Sequence, residues 1–314
     1  MLMARNGQGQ LISSLEMTDS GDMICPGCHQ RVYFKNGRQK IPHFAHGAHA
    51  DCDTFSEGET KEHLQGKELL ARFLAKDEGV LEAYLPQLRQ RPDILWNKRA
   101  LEFQCSPLPF QRFQERTTNY QRHGYHPWWI LGRHFYPKRK FSHFQKACCY
   151  YTKRQIYLWH LSVEHGQLQR LGPIIWHYHT ENSFAKKSWQ LTDRTIYQEK
   201  ARISHWHPDE YRELLAQKLV HSPKQLLLLQ EQFYLRGQTL TTLPKWCYQA
   251  STFSFFFEER LLLLRYLYLL HPQQTFQEWI SSLKCLTWRW DFPLTDQRTI
   301  LWQTFQECRD LAGQ

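Results

Sequence analysis

The sequence of 314 residues has no long hydrophobic run, and this excludes a membrane-spanning helix. Such a helix needs roughly 18 or more consecutive apolar residues, whereas the longest apolar run, residues 261–270, is interrupted by Arg265. A secretory signal is also lacking, because no basic segment at the N-terminus is followed by an apolar stretch and a small-residue cleavage site. We therefore expect a cytoplasmic protein without membrane insertion.

Motifs of several common protein classes are missing as well. The sequence contains no internal repeat, no Gly-rich phosphate loop and no Ser, His and Asp in the order of a hydrolase triad. These absences argue against repeat architectures, P-loop nucleotide binding and triad hydrolysis. The nine cysteines do not suggest a disulfide framework either, because disulfides are rare in the cytoplasm.

Acidic residues are scarce between residues 103 and 154, where ten Lys or Arg accompany a single acid, Glu115. This stretch carries +9 of the formal net charge of +10 and contains thirteen Phe, Tyr or Trp. Basic side chains interleaved with aromatic rings suit a nucleic acid, since the charges contact phosphates and the rings stack on bases. The alternative is a buried aromatic core with a solvated basic rim. Within the stretch we predict that Lys138, Arg139 and Lys140 bind DNA.

The sequence is rich in apolar residues (41% hydrophobic, 15% aromatic), so it can form a sizeable core. The patterns predict a helix from residue 59 to 74, two strands within residues 93–104, a helix from 110 to 123 and a strand at 128–131. This order indicates an α/β fold with a small central sheet. Beyond about residue 185 the patterns are helical. We predict three domains: a small module at 1–55, an α/β domain at 56–182 and a helical C-terminal domain at 183–314.

Two thiols and two imidazoles recur at short spacing near the N-terminus: Cys25, Cys28, His43 and His46. A predicted hairpin, with strands at residues 31–35 and 39–42, separates the two pairs. Such a Cys₂His₂ set is the arrangement that structural Zn²⁺ requires, and the metal would supply folding free energy to so small a module. His49 and Cys52 are alternatives for the fourth ligand. A redox CxxC is disfavoured, because it would open a helix and the residues that follow resemble a strand.

Two carboxylates stand at the ends of the predicted strands in residues 93–104. Asp93 precedes the first strand and Glu102 lies near the end of the second. Adjacent carboxylates repel each other unless a cation lies between them. A hard divalent cation fits this position, because Mg²⁺ binds one or two protein carboxylates together with water and phosphate oxygens.

Three polar residues on the helix before these strands share one face. Glu59, His63 and Lys67 follow at intervals of four residues. Such a trio is commonly a solvated stripe. Because this helix immediately precedes the carboxylate strands, its polar face could instead lie over the metal.

The spacing of Asp93 and Glu102 resembles the core of the PD-(D/E)xK nucleases, with Gln104 in the place of the usual lysine. The resemblance implies that both carboxylates bind a catalytic Mg²⁺ or Mn²⁺ and that Glu59 or Glu62 completes the coordination. Gln104 would orient water or donate a hydrogen bond, because an amide cannot supply positive charge.

The missing positive charge has one main candidate. Lys67 on the preceding helix is expected to supply it, and Lys98 is less well placed. Arg116 and Tyr120 resemble the helix signature of some relatives of these nucleases, which implies that they contact phosphate.

A wider resemblance spans residues 20 to 135. The matching features are Cys25-Pro-x-Cys28, His43-Phe-Ala-His46, Glu-His-x-x-Gly-Lys at 62–67, Arg91-Pro92-Asp93, Glu102-Phe103-Gln104-Cys105-Ser106 and Arg116-x-x-x-Tyr120. Together they are similar to the competence protein CoiA family. The resemblance implies a zinc-ribbon-like N-terminal domain, a nuclease-like middle and a helical C-terminal domain that serve DNA uptake and recombination.

These inferences together predict a metal-dependent DNA endonuclease that acts on single-stranded or branched DNA, with a structural Zn²⁺ and with recombination proteins as further partners. The first alternative is a DNA-binding protein with a nuclease fold and no chemistry. The second is a zinc-stabilised adaptor that docks a recombinase and binds no DNA. Divalent-metal-dependent cleavage would distinguish the endonuclease from both alternatives.

Overall fold

A computed structural model describes residues 1–17, 21–47, 52, 59–138, 140–178, 181–199, 206–221, 223–284 and 289–313. The chain divides into two compact units. The first contains Met1–Pro137, Leu158–Leu171 and Lys186–Gln198, and the second contains Lys138–Tyr157, Gly172–Ala185 and Glu199–Gln314. Within the described ranges, no helix is both long enough and apolar enough to cross a membrane. The predicted domain limits at residues 55 and 182 stay a prediction.

The first unit begins with a 5-stranded sheet of order β2-β1-β3-β4-β5. Its strands are β1 (Met3–Arg5), β2 (Leu11–Ser13), β3 (Met23–Ile24), β4 (Arg31–Lys35) and β5 (His43–His46). Val32 of β4 and Phe44 of β5 are buried in the core of this module. The predicted strand at 31–35 is confirmed, but the prediction of its partner at 39–42 is wrong: the partner strand begins four residues later, because Phe44 is the apolar residue that reaches the core.

A second sheet follows, and its elements have the predicted order. They are α1 (Lys61–Leu74), β6 (Val80–Leu81), β7 (Ile94–Trp96), β8 (Arg99–Gln104), α2 (Phe110–Arg122) and β9 (His126–Leu131). β7 pairs antiparallel with β6 and β8, whereas β8 and β9 are parallel. A parallel pair needs a crossover, and α2 supplies it. The predicted mixed α/β class is confirmed.

Helix α1 packs closely on one face of this sheet. The side chain of Thr60 caps its N-terminus by accepting a hydrogen bond from the His63 backbone N–H (3.1 Å). Leu70 and Leu74 join the core beneath it. Gly66 lets the helix approach β8, because a Cβ at this position would lie only 2.0 Å from the ring of Phe103. The approach brings the polar residues of α1 next to the ends of β7 and β8.

Helix α2 packs on the other face. The ring of Phe113 lies 4.7 Å from that of Trp129 on β9, and the Trp129 indole N–H donates to Thr117 (3.0 Å). Successive residues of β8 point to opposite faces. Leu101 and Phe103 therefore join the core on the α1 side, and Glu102 reaches α2.

The remaining strands extend this sheet to residue 199. They are β10 (Tyr150–Thr152), β11 (Gln155–Ser162), β12 (Gln167–His177), β13 (Glu181–Gln190) and β14 (Ile196–Glu199). The 9-stranded sheet has the order β14-β13-β12-β11-β9-β8-β7-β6, and β10 pairs with the start of β11. The helical pattern expected beyond about residue 185 thus begins later than predicted, because two strands precede it.

The second unit is mostly helical. Its helices are α3 (His143–Ala147), α4 (Pro208–Val220), α5 (Lys224–Tyr234), α6 (Ser254–Phe257), α7 (Arg260–Leu270), α8 (Phe276–Leu283) and α9 (Gln297–Ala312). Helix α7 is buried around most of its circumference. Arg265 is the charged residue within that buried surface. It donates hydrogen bonds to the Cys247 and Gln249 carbonyls and to the Glu307 carboxylate. The predicted helical C-terminal region is confirmed.

Candidate functional site

Three thiols and one imidazole meet in the N-terminal module. The ligand atoms of Cys25, Cys28, His46 and Cys52 all lie within 4.8 Å of one another. The Cys28 Sγ is 3.3 Å from the His46 Nε2, and the N–H groups of Gly27 and Cys28 point at the Cys25 Sγ (3.3 and 3.5 Å). Zn–S and Zn–N bonds of about 2.3 and 2.0 Å fit such spacings.

His43 lies outside this cluster, and Cys52 takes the ligand position that the sequence analysis assigned to His43. The reason is the strand β5. Residues three apart on a strand point to opposite faces, and His46 points with the buried Phe44 towards the thiols while His43 points away. The Nδ1 of His43 instead lies 2.9 Å from the Ile41 carbonyl oxygen. His49, the other alternative ligand, lies outside the described residues.

The protonation of these four residues depends on a cation. Burial raises the pKa of the Cys25 thiol and lowers the pKa of the His46 imidazole. A neutral imidazole is ready to bind metal, whereas a buried thiolate needs a cation to balance its charge. The Cys₃His set therefore fits a structural Zn²⁺.

Zinc analysis can separate the two ligand sets. We expect about one equivalent of Zn²⁺ in the purified protein, and we expect Cys52→Ser to lose the metal and lower the melting temperature. His43→Ala should keep both, because its ring does not face the thiols. Full zinc content in Cys52→Ser, or loss of zinc in His43→Ala, would contradict this ligand set.

The first predicted catalytic carboxylate, Asp93, lies directly before β7. Its Oδ2 accepts a hydrogen bond from the Phe103 N–H (2.7 Å) and lies 3.2 Å from the His63 Nε2. The Lys67 Nζ is 3.9 Å from Oδ1. Burial alone would raise the pKa of Asp93, but His63, Lys67 and the Phe103 N–H outweigh burial and hold that pKa well below its usual range. Asp93 is therefore ionised at neutral pH.

The second carboxylate, Glu102, lies on β8. Because Ile94 pairs with Leu101, Asp93 and Glu102 are the next opposed positions of the two strands. The Arg116 guanidinium and the Tyr120 hydroxyl both donate to the Glu102 Oε1. Burial raises the pKa of Glu102 more than Arg116 lowers it, and the charge of Asp93 adds to the rise. The two carboxylates thus interact, as their spacing in the sequence predicts.

Gln104 and the two further predicted metal ligands, Glu62 and Glu59, have other partners. The Gln104 amide on β8 donates to the Ser106 carbonyl (2.7 Å). Glu62 accepts the Arg133 N–H through its Oε1 (2.7 Å). Glu59 accepts from the Lys67 ammonium and lies 3.8 Å from the His63 Nδ1. Of the two glutamates, only Glu59 is among the described residues that line the cleft around Asp93.

Lys67 is fully buried between three carboxylates. Its ammonium contacts Glu59 and Glu82 and lies near Asp93. Burial alone would lower the pKa of Lys67, but Glu59 and Glu82 more than compensate and raise it. Glu82 in turn contacts Arg91, which together with Lys67 holds the Glu82 pKa low against the effect of burial.

Glu82 was not identified from the sequence. Its carboxylate connects two parts of the first unit. Its carboxylate accepts the backbone N–H groups of Leu2 (2.8 Å) and Met3 (3.1 Å) at the start of the Cys/His module. Its partners Lys67 and Arg91 are distant in the sequence, so no local pattern identifies it. His63 had a local signal, the spacing of four that aligns it with Glu59 and Lys67.

A cleft of about 620 Å³ opens over these carboxylates. Its lining combines acidic and basic residues. The acidic residues are Asp93, Glu102 and Glu59, and the neutral Gln104 lies among them. The basic residues are His63, Arg91, Arg112 and Arg116 from around the second sheet and Lys35, Lys40, His43 and His46 from the N-terminal module. The cleft therefore offers an anionic centre, which suits a cation, within a basic surround, which suits a polyanion.

The residues predicted to bind DNA lie in different settings. Arg116 is a fifth exposed and lines the cleft. Tyr120 is fully buried, so it orients Glu102 through its hydroxyl and does not reach a surface where phosphate could bind. Lys138 and Lys140 are exposed in the second unit, and Arg139 lies outside the described residues.

Comparison with known proteins gives two matching family models. The nuclease-like domain of competence protein CoiA matches residues 59–205, and the N-terminal domain of competence protein CoiA matches residues 10–55. The chain belongs to the competence protein CoiA family. The resemblance seen in the sequence is thereby confirmed.

One curated relative is the competence protein CoiA of Bacillus subtilis (strain 168). It is 36% identical to this chain over 115 residues, which cover 35% of this chain and 31% of that CoiA. The aligned part is thus less than a third of the relative's length. No solved structure matches the chain.

The nuclease-like domain of this CoiA-family chain contains oxygen donors suited to a hard cation. In the described part of the chain, both hydrogen bonds to Glu102 use Oε1, and the two shortest contacts of Asp93 use Oδ2. The other oxygen of each carboxylate is less engaged. Carboxylate oxygens are what Mg²⁺ and Mn²⁺ prefer, so the residues fit such an ion.

Proposed function

We propose that this protein is a divalent-metal-dependent DNA endonuclease that acts in natural competence and recombination. The observation that carries the proposal is the opposition of Asp93 and Glu102 at the base of a cleft with a basic surround. The family contributes the nuclease-like domain and the connection to competence. Two carboxylates and a basic cleft are the parts that hydrolysis of a phosphodiester requires.

Asp93 and Glu102 would hold the Mg²⁺ or Mn²⁺. When bound, the ion supplies charge stabilisation at the phosphate and a water of lowered pKa. The chain's own residues position these ligands. The Phe103 N–H and His63 hold Asp93 from one side of β7, and Arg116 and Tyr120 hold Glu102 from α2. Because four partners fix the two carboxylates, little reorganisation is needed when substrate binds.

Positive charge near the scissile phosphate comes from arginine and not from position 104. Arg116 lines the cleft beside Glu102, and Arg112 lies one turn earlier on α2. Lys67 acts through Asp93, since it is buried beneath that carboxylate. Gln104 lines the same cleft as a neutral hydrogen-bonding group.

The direct test uses purified protein with end-labelled single-stranded, duplex and branched DNA. We expect cleavage of at least one DNA form with Mg²⁺ or Mn²⁺ and none when Ca²⁺ is the only added divalent ion. Endonuclease activity should also open a circular single strand. Binding of all three forms without cleavage under any metal condition would contradict the proposal.

A second function has specific support from the same geometry. Each carboxylate already contacts a basic side chain, His63 at Asp93 and Arg116 at Glu102, and Gln104 replaces the usual lysine. A site in which a basic side chain already balances the charge of each carboxylate would also suit a protein that binds DNA without cutting it. The cleavage assay with Mg²⁺, Mn²⁺ or Ca²⁺ distinguishes the two functions, because only a nuclease produces shorter DNA fragments.

A further inference from the structure

The outward face of the β4–β5 hairpin carries an unusual combination of side chains. On β4, the side chains of Arg31, Tyr33 and Lys35 lie on the face opposite to the buried one, and all three are exposed. Tyr33 pairs with Ala45, and Lys35 pairs with His43. Side chains of directly opposed residues lie on the same face of an antiparallel pair. The hairpin thus presents one continuous face with cations, an imidazole and an aromatic ring.

This face leads into the cleft. Lys35, His43 and Ala45 line the cleft over the carboxylates, and Tyr33 and Arg31 follow outwards along β4. The Tyr33 side chain is a large exposed ring, at 50% of its full accessibility. The Arg31 guanidinium lies 5.5 Å from its centroid and also pairs with Asp22 (2.7 Å).

The Cys/His cluster fixes both ends of this hairpin. Cys25 and Cys28 precede β4 directly, and His46 is the last residue of β5. Glu82 anchors the start of the module to the nuclease-like core through the Leu2 and Met3 N–H groups. The face is therefore held in a set position relative to Asp93.

We propose that this hairpin face binds a single-stranded segment of DNA and guides it into the cleft. Lys35, with Lys40 beside it in the cleft lining, would contact phosphates, and Tyr33 would stack on a base. Stacking on an exposed ring needs an unpaired base, which favours single strands over duplex. This inference deepens the proposed nuclease function and rests on it for the meaning of the cleft.

The test measures DNA affinity in the Asp93→Asn background, so that cleavage cannot interfere. The probe is a fluorescent oligothymidylate of about 20 nucleotides, with a duplex of equal length for comparison. Tyr33→Ala should lower the affinity for the single strand by about 10-fold or more, the scale of one lost base stack. Tyr33→Phe should keep it, because the ring remains.

Matched variants control for exposure and charge. Tyr197 on β14 is equally exposed (53%) in the same unit, so Tyr197→Ala should leave the affinity unchanged. Lys35→Ala should reduce the slope of log affinity against log salt by about 0.7, the value for one phosphate contact of a single strand. Retained zinc content and melting temperature show that each variant is folded.

The outcomes separate this inference from the nuclease proposal. Unchanged affinity in both Tyr33→Ala and Lys35→Ala overturns the hairpin face as a binding surface, even if Asp93→Asn abolishes cleavage. An equal loss for duplex and single strand overturns the preference for unpaired bases. A selective loss on the single strand supports the inference, even where the wild type proves to cut no DNA.

Discussion

From the proposed nuclease function we expect the Asp93→Asn variant to cleave DNA at least about 10³-fold more slowly than the wild type and to bind DNA with undiminished affinity. The lost rate corresponds to several kcal/mol of transition-state stabilisation by a metal ion. Asparagine keeps an oxygen that can accept the Phe103 N–H, so the backbone contact survives. What it removes is the negative charge that a divalent cation needs. Affinity persists because the cleft's cations remain in place.

Single-turnover cleavage and fluorescence anisotropy on the same DNA measure the two quantities separately. Asp77→Asn is the matched control, since Asp77 lies in the same unit and its exposed pair with Arg194 is far weaker than a buried one. Glu102→Gln should behave like Asp93→Asn, because Arg116 and Tyr120 keep an acceptor. Wild-type cleavage rates in Asp93→Asn with both Mg²⁺ and Mn²⁺ would exclude chemistry at this site.

Replacing Lys67 by Met will lower the free energy of unfolding by about 3–5 kcal/mol at neutral pH, the usual cost of removing one partner of a buried ion pair. Lys67 is fully buried, and its removal leaves Glu59 and Glu82 without their shared cation. Urea denaturation followed by tryptophan fluorescence measures the loss. Lys61→Met is the control on the same helix, and this exposed change should cost less than about 0.5 kcal/mol.

The pH dependence of this loss has a definite sign. In the wild type, the lowered pKa values of Glu59 and Glu82 stabilise the fold above the pH where the unfolded carboxyls titrate, and this contribution is lost as the pH falls through the folded values. Without Lys67 both pKa values rise, because burial is then opposed only by the remaining cations such as Arg91 and the N-terminal amine, so protonation relieves the poorly balanced charge at a higher pH than in the wild type. The deficit of Lys67→Met should therefore be smaller at about pH 5 than at about pH 8. A deficit independent of pH would contradict the buried pairing.

A double variant separates pairing from packing. Adding Glu82→Gln to Lys67→Met should cost less than Glu82→Gln costs in the wild type, because the pair with Lys67 is already gone and only the pair with Arg91 is lost. Groups in direct contact show coupling energies of about 0.5–3 kcal/mol in such cycles. Additive losses would mean that Lys67 acts through its aliphatic stem alone.

Local patterns predict the core of this fold well. The strands around Asp93 and Glu102 follow from a short hairpin, and the face shared by His63 and Lys67 follows from helical spacing, whereas Glu59 lies two residues before α1. In each case the residues that meet are close in the sequence, so their geometry is fixed by the element itself. The strand β13 was harder, since its polar residues and half-buried faces give no clear alternation.

Contacts between distant segments were beyond sequence patterns. Cys52 completes the Cys/His cluster from a position that no short motif marks, whereas His43 fits the motif and misses the cluster. The error came from ending the second predicted strand at residue 42, so that His43 and His46 were placed after it and not on it. On a strand, an odd spacing separates side chains onto two faces. Glu82 illustrates the same limit, because its partners come from the start of the chain, from α1 and from Arg91.

The close approach of Gly66 to the ring of Phe103 limits which residues position 66 can accept. Phe103 is buried among the core residues of the sheet, so its ring cannot turn aside to admit a methyl group at position 66. Helix α1 would have to lift, and His63 and Lys67 would move away from Asp93 with it. Position 66 touches neither metal nor DNA, yet even alanine there would act as a loss-of-function allele. In a genetic screen, Gly66→Ala would have the same phenotype as substitutions in the proposed metal site.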